Sequence, residues 1–173
     1  MDKVIEKIQS YVKEEVEKDK ENDWPLQKIN MVYAGDPWWI AHSNMPCIII
    51  ALNSIWLNIR GTQDELNGEI RISLVLNIKD FYWDDDESKI GYHQTAIKMI
   101  GWYWPNKKVS NWLIGILRSD GLREKIKDDI DVSGNQTFTV NQPMRVRDTE
   151  REGSQAFTYE PTININFISI RRR

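Results

Sequence analysis

The chain has 173 residues, 40% of them hydrophobic, and a formal net charge of −3. A chain of this length and composition can bury a core without disulfides, and its single cysteine, Cys47, cannot form an internal bridge. Acidic and basic residues are interspersed, so there is no bulk attraction for nucleic acid or an anionic membrane. No apolar run reaches the roughly 20 residues of a membrane span. We therefore expect one soluble domain, residues 1–173.

The chain opens with the pattern of an amphipathic helix over residues 2–20. Apolar residues recur there at three- and four-residue steps, and lysine and glutamate cover the rest of the cylinder. The recurring residues are Val4, Ile5, Ile8, Tyr11, Val12 and Val16. We expect the helix to pack against the rest of the fold by this single stripe.

Two strands are predicted next, at residues 28–34 and 45–52, with a Gly-Asp-Pro turn and an aromatic loop between them. The second is nearly all apolar and is opened by a proline, which is typical of an interior strand buried on both faces. Alternation resumes at residues 54–60. The pattern leaves open whether one strand continues through a bulge at Asn53 or a new strand begins.

The clearest strand covers residues 69–79. Isoleucine or leucine occupies every second position from 70 to 78, and mostly polar residues lie between them. We expect it to be the central strand of an antiparallel sheet. Residues 54–60 should be its hairpin partner, across an extended loop at residues 61–68 that ends in the turn signal Asn67-Gly68.

The second half of the chain is predicted to begin with helices. An acidic loop at residues 84–87 precedes one helix within residues 88–104 and a clearer amphipathic helix over residues 107–119. The second of these helices carries an apolar stripe that should lie on the sheet.

Strands are predicted again towards the C-terminus. Weak alternation at residues 136–147, interrupted by Pro143, indicates an edge strand. Residues 148–155 form an extended loop or hairpin tip, and residues 156–171 form the last strand, with a bulge or twist near Ile168. The order predicts an α+β fold. Its antiparallel sheet of about five or six strands is packed on one face by the N-terminal helix and one or two central helices.

No pattern in the sequence indicates a catalytic, metal or cofactor site. Residues 84–87 lack the ligand spacing and the glycine of a calcium loop. His42 and His93 have no second histidine or cysteine at ligand spacing. Phosphate-loop and nucleophile-elbow motifs do not occur. We therefore expect no enzymatic activity, no metal and no cofactor, and we expect Cys47 to be a buried structural thiol.

Aromatic residues are the unusual feature of the composition, with eight tryptophans. Several lie in loop-like contexts, which favours a partner surface, because tryptophan is seldom fully buried and is enriched at interface hot spots. The candidate contact residues are Trp38, Trp39, Trp102 and Trp104. Stacking platforms for sugars or bases are the alternative.

The C-terminal part of the chain is locally basic. Arg145, Arg147 and Arg151 are followed by the terminal arginines at 171–173. Nucleic-acid contact is conceivable from such a cluster, but we favour charge pairing with an acidic neighbour.

The order of these elements resembles that of the tail-terminator, or tail-completion, proteins of tailed bacteriophages and related neck proteins at the head-to-tail joint. The resemblance rests on the opening helix, the first strand running into Gly35-Asp36-Pro37, and the loop that closes at Met45-Pro46. It extends over most of the chain through the long strand at residues 69–79, the helix at 107–119 and the last strand.

The resemblance implies a structural virion protein made in the host cytoplasm. It would form a ring, usually hexameric, that caps the tail tube and joins it to the neck. Its partners would be copies of itself and other phage tail-tube and neck proteins, with no membrane and no direct nucleic-acid contact. The tryptophans named above would be subunit anchors, and Arg145, Arg147 and Arg151 would meet acidic neighbours. A monomeric aromatic-rich module that binds carbohydrate or nucleic acid is the alternative.

Overall fold

The computed structural model describes residues 2–19, 29–60, 63–77, 120–131, 136–140, 145–149 and 154–172. The helices in these ranges are α1 (Asp2–Asp19), a 3-10 turn (His42–Asn44) and α2 (Asp120–Ile126). The strands are β1 (Met31–Ala34), β2 (Cys47–Arg60), β3 (Gln63–Asn77), β4 (Gln136–Val140), β5 (Arg145–Asp148), β6 (Gln155–Tyr159) and β7 (Pro161–Arg172).

The larger sheet has the strand order β1-β2-β3-β7-β4. Its strands are antiparallel neighbours except for β1, which runs parallel to β2. β5 and β6 form a separate hairpin, and β6 pairs with the end of β3 through Leu76 and Asn77. A mostly antiparallel sheet combined with helices confirms the predicted α+β class.

One face of the large sheet is covered by α1 and α2. The apolar stripe predicted for α1 is buried at every position, from Val4 to Val16, and the described helix spans Asp2–Asp19, with residue 20 of the prediction outside the described residues. This stripe clusters with Ile48 and Ile50 of β2 and with the inward side chains of β3 and β7. Burial of such side chains stabilises the fold by about 1.5–3 kcal/mol each.

The opposite face of β2 belongs to a second, smaller core. Cys47, Ile49 and Ala51 lie there with Val75 of β3 and with Ala156 of the β5–β6 hairpin. Side chains of residues 47–51 are therefore buried on both sides of the strand. This confirms the prediction of an interior strand.

The long hairpin β2–β3 corrects the predicted loop at residues 61–68. β2 continues to Arg60 through an irregularity between Leu52 and Ser54, and β3 begins at Gln63 and not at residue 69. The predicted turn at Asn67-Gly68 therefore lies inside a strand. Gly68 marks a place where neighbouring strands pack closely together, and not a turn.

The C-terminal strands also differ from the prediction. Residues 136–147 contribute two strands, because β4 joins the large sheet whereas β5 joins the hairpin. The last predicted strand is divided at Pro161, which cannot donate a ladder hydrogen bond and opens β7. The register of β7 with β3 is unbroken, so the bulge expected near Ile168 is wrong.

Several predictions lie wholly or partly outside the described residues, among them the acidic loop at 84–87 and the end of the central strand at 78–79. The predicted helices within residues 88–104 and at 107–119 fall there entirely. For the hairpin tip at 148–155, residues 150–153 fall there, whereas Asp148 and Gln155 at its two ends face each other in the β5–β6 ladder.

Gly68 provides a direct test of the central hairpin. A Cβ atom at this position would lie 2.7 Å from the Ser54 carbonyl oxygen and closer still to the Phe167 ring. We therefore expect Gly68→Ala to lower the free energy of unfolding by about 1–3 kcal/mol, measured by urea denaturation. Ile55→Ala, which trims an exposed side chain opposite Gly68, is the matched control and should cost much less. An equal cost for the two variants would contradict this packing.

Candidate protein-interface site

The loop after β1, residues 35–41, carries two tryptophans that the monomer leaves exposed. Trp38 is 90% exposed and Trp39 is 51% exposed. The loop begins at Gly35, whose φ of +88° lies in the region that favours glycine. The Gly35 N–H donates a hydrogen bond of 2.7 Å to the Ile50 carbonyl, which fixes the start of the loop on β2. We call residues 35–41 the tryptophan loop.

The far end of the tryptophan loop is fixed by burial. Ile40 is fully buried in the second core, and its N–H donates to the Asp148 carbonyl of β5 at 3.0 Å. Just beyond the loop, the Asn44 side chain donates to the Tyr33 hydroxyl at 2.8 Å. Trp38 and Trp39 therefore project from a segment that is anchored on both sides.

The first half of the loop is also held by ion pairs. Arg71 of β3 and Arg147 of β5 both donate to the carboxylate of Asp36, Arg147 with a distance of 2.9 Å. Arg147 also binds Glu160 with two nitrogens, Nε and a terminal nitrogen at 2.9 Å. The hydroxyl of Thr158 donates to the same Glu160 carboxylate at 2.8 Å. We call Asp36, Arg71, Arg147 and Glu160 the ion cluster.

The ion cluster is electrically neutral, and it extends from the shielded Arg147 and Glu160 to Asp36, whose side chain is 36% exposed. The side chain of Arg147 is 11% exposed and that of Glu160 is 5% exposed. Buried charges are tolerated only when each is paired and hydrogen-bonded, and here two arginines face two carboxylates. Alternation along the strands explains the placement, because Arg147 stands opposite the buried Ala156 and therefore points inward.

The titration of nearby groups reflects this environment. Burial would raise the pKa of Asp36, but the hydrogen bonds and charges of Arg147 and Arg71 outweigh it and hold the pKa below its usual value. Burial lowers the pKa of Arg147, but Glu160 and Asp36 more than compensate, so it stays charged. Burial raises the pKa of the Cys47 thiol to about 12, which fits a protonated structural thiol.

The outer face of the β5–β6 hairpin adds apolar surface beside the tryptophan loop. Val146 and Phe157 face each other across the hairpin and are 51% and 56% exposed. The hydrogen bond between Ile40 and Asp148 joins this hairpin to the loop. We call Trp38, Trp39, Val146 and Phe157 the tryptophan surface.

The residues predicted as an interface from the sequence have different surroundings. Trp38 and Trp39 are exposed on the tryptophan surface, whereas Arg147 lies inside the ion cluster with acidic partners from its own chain. Arg145 begins β5. Trp102, Trp104 and Arg151 lie outside the described residues.

Sequence reasoning missed five residues of the site. These are Asp36, Arg71, Glu160, Val146 and Phe157. The Gly-Asp-Pro run predicts only a turn, and of the two acidic partners of Arg147, Asp36 lies 111 positions away in the chain and Glu160 13. Alternation within residues 145–148 and 155–159 was the available signal for Val146 and Phe157, because it places them on the face opposite Arg147 and Ala156.

The described ranges contain neither a metal-binding cluster nor a membrane-spanning helix. Their histidine, cysteine, aspartate and glutamate side chains include no group of three or more placed to hold a metal ion. Their helices include none that is long and apolar enough to cross a bilayer.

Comparison with known proteins adds no family to these observations. No protein-family model matches the chain, and no curated protein matches its sequence. A functional assignment therefore depends on the tryptophan surface and the ion cluster that supports it.

Replacement of Arg147 by methionine tests the ion cluster. Glu160 would remain buried without its cation, so we expect Arg147→Met to lower the free energy of unfolding by about 3 kcal/mol. The control Lys7→Met removes the partly exposed ion pair with Asp129 and should cost less than about 1 kcal/mol. Denaturant unfolding measures both. Similar losses would show that the cluster contributes no more than a surface pair.

Asp36 makes part of this stability dependent on pH. Because its folded pKa is depressed, its contribution is fully present above the unfolded pKa of about 3.9 and is lost as pH falls through the lower folded pKa. We expect Asp36→Asn to be less stable than wild type at neutral pH. The difference should shrink as pH falls below about 4. Unfolding measured from pH 7 to pH 3 checks this, and a difference that is constant with pH would contradict it.

Proposed function

We propose that this protein is a structural subunit that assembles with its own copies through the tryptophan surface. The observation that carries the proposal is a pair of exposed indoles on a loop that is fixed on both sides. The Gly35 hydrogen bond and the Asp36 ion pairs hold one side, and the buried Ile40 holds the other. Exposed tryptophan is typical of interface hot spots. An anchored loop loses little conformational entropy when it binds, so more of the contact energy appears as affinity.

We further propose that the assembly is a ring, with the protein acting as a tail terminator or neck component of a tailed phage. The order of α1, β1, the Gly-Asp-Pro turn and the strand opened by Pro46 supports this, because these are the elements on which the resemblance rests. The tryptophan surface suits a heterologous contact, which closes into a ring when the rotation between subunits allows it. The partners would then be tail-tube and neck proteins, and the location the virion.

We also propose the parts of the expected fold that lie beyond the described residues. They are a complete sheet of about five or six strands and one or two central helices formed by residues 88–119. A long sheet that supports projecting loops is the kind of rigid subunit that a ring at the head-to-tail joint needs.

The ion cluster favours a protein partner over nucleic acid. Arg71 and Arg147 hold the tryptophan loop, but both are engaged by Asp36, and Arg147 is also engaged by Glu160. Their charge is therefore neutralised within the chain and is not offered to phosphate. Stacking of sugars or bases on the two indoles remains the alternative that the following experiment separates.

Alanine at both Trp38 and Trp39 tests the proposed contact. We expect the concentration at which the protein assembles to rise at least about tenfold, because each truncation removes a hot-spot side chain. Light scattering across a concentration series measures the mass, and electron microscopy shows whether the large species are rings.

Met31→Ala is the matched control, because Met31 is an exposed apolar residue of β1 that lies outside the tryptophan surface. It should assemble like the wild type. Unchanged assembly of the double variant would contradict the proposed contact. A monomeric wild type that binds an oligosaccharide or single-stranded DNA, and loses this binding in the double variant, would support the alternative.

A further inference from the structure

The second half of β2 has no strand partner on its outer edge among the described residues. β1 pairs with β2 only at residues 47–50, and the irregularity between Leu52 and Ser54 follows. From Ser54 to Arg60, β2 pairs on its inner side with β3, and within the described residues no strand pairs with its outer side. This outer side, residues 54–60, is the β2 edge.

Hydrogen bonds elsewhere in the sheet fix the direction of the backbone groups. Ile168 of β7 exchanges two hydrogen bonds with Asp131, so the N–H and C=O of Ile168 point away from β3. Backbone groups of successive residues point to opposite edges of a strand, so those of Phe167 point to β3. Phe167 stands opposite Gly68, whose groups therefore point back to β7.

The same alternation continues across β3. The backbone N–H and C=O of Asn67 point to β2, where they face Trp56. Trp56 is thus bonded inward. The N–H and C=O groups of its alternate neighbours, Ile55, Leu57 and Ile59, point outward along the β2 edge.

The side chains of these three residues form an exposed apolar row. Ile55 is 43% exposed, Leu57 is 53% exposed and Ile59 is 67% exposed. Natural sheets protect such edges with lysine, proline or inward-pointing charge. None of the residues from 53 to 59 is charged or a proline.

We propose that the β2 edge is a homodimer interface, in which it pairs antiparallel with the β2 edge of a second copy and Leu57 lies on the two-fold axis. Leu57 then faces Leu57, and Ile55 faces Ile59 of the second copy. Every residue in these facing pairs has outward backbone groups, so each pair exchanges two hydrogen bonds. The two apolar rows also join on one face of a continuous sheet.

Charge supports a second copy as the partner. The uncharged segment 53–59 brings no like charges together when it meets itself. The same register places Arg60 opposite Ser54 of the second copy. Ser54 is paired with Glu69, so the basic residue of one copy shares a cross-strand row with the acidic residue of the other.

The size of the contact sets its strength. An edge of this length buries less than the roughly 1,200 Å² that separates weak, transient complexes from stable ones. The dimer should therefore be weak and depend on concentration.

The apolar row shares the sheet face that α1 covers, whereas the tryptophan surface lies with the hairpin on the other face. The two contacts therefore use different faces of the sheet, and the dimer does not require the proposed ring.

A charge-swap experiment tests the two-fold axis at Leu57. Leu57→Lys and Leu57→Glu are each made in the Trp38→Ala, Trp39→Ala background, so that contacts through the tryptophan surface do not contribute. Each places two like charges directly opposite each other and should weaken dimerisation at least about tenfold. An equimolar mixture of the two should dimerise again, because lysine then faces glutamate. Sedimentation velocity across a concentration series measures all three samples.

Met31→Lys in the same background is the matched control, because Met31 is an exposed apolar residue of β1 that belongs neither to the β2 edge nor to the tryptophan surface. It should dimerise like the parent. The proposal is overturned if the parent stays monomeric at the highest soluble concentration, or if the single charge variants dimerise as well as the parent. It is also overturned if the folded lysine and glutamate variants, checked by circular dichroism, fail to dimerise when mixed.

Discussion

The contact of Arg147 with Asp36 and Glu160 is the constraint on which the candidate site depends. Burial of an arginine is unfavourable unless its charge and its donors are satisfied, so Arg147 requires both carboxylates in place. Asp36 comes from the loop after β1, and Glu160 from the junction of β6 and β7. One side chain therefore ties the hairpin, the tryptophan loop and the large sheet together, and Arg71 of β3 completes the cluster.

This constraint turns a short loop into a defined surface. Ile40 is drawn into the second core on one side of Trp38 and Trp39, and Gly35 is bonded to β2 on the other. Ile40 fills the second core at this point, and the indoles of Trp38 and Trp39 lie at the surface. Apolar surface presented on a fixed loop is suited to a partner of matching shape, and this connects the buried charges to the proposed assembly.

The sequence predicted the elements whose signal is local. The stripe of α1 and the interior strand of β2 follow from periodicity alone, and the structure bears out both. The start of β3 did not follow, because Asn67-Gly68 has the local chemistry of a turn, and only the packing of Phe167 and Ser54 around the glycine explains a strand there. The pattern places Pro161 inside a single strand, because the division into β6 and β7 depends on tertiary pairing. β6 pairs with β5, whereas β7 pairs with β4.

The site was predictable only in part. Two adjacent tryptophans after a turn indicated an exposed surface, and Trp38 and Trp39 are exposed. The basic residues near the C-terminus suggested outward charge, but Arg147 meets Asp36, a residue 111 positions away in the chain. Charge density along a sequence does not reveal such a partner, because the sheet register that joins the two is a property of the whole fold.

Hydrogen exchange across residues 35–41 is the most direct test of the central claim that a clamped tryptophan loop is the assembly surface. The comparison is between a dilute sample and one concentrated enough for light scattering to show assembly. We predict that the Ile40 amide, bonded to Asp148, is protected in both samples, and that protection of the rest of the loop rises on assembly. Fast exchange at Ile40 in the dilute sample would contradict the clamp, and a loop that exchanges equally in both samples would contradict its role as the interface.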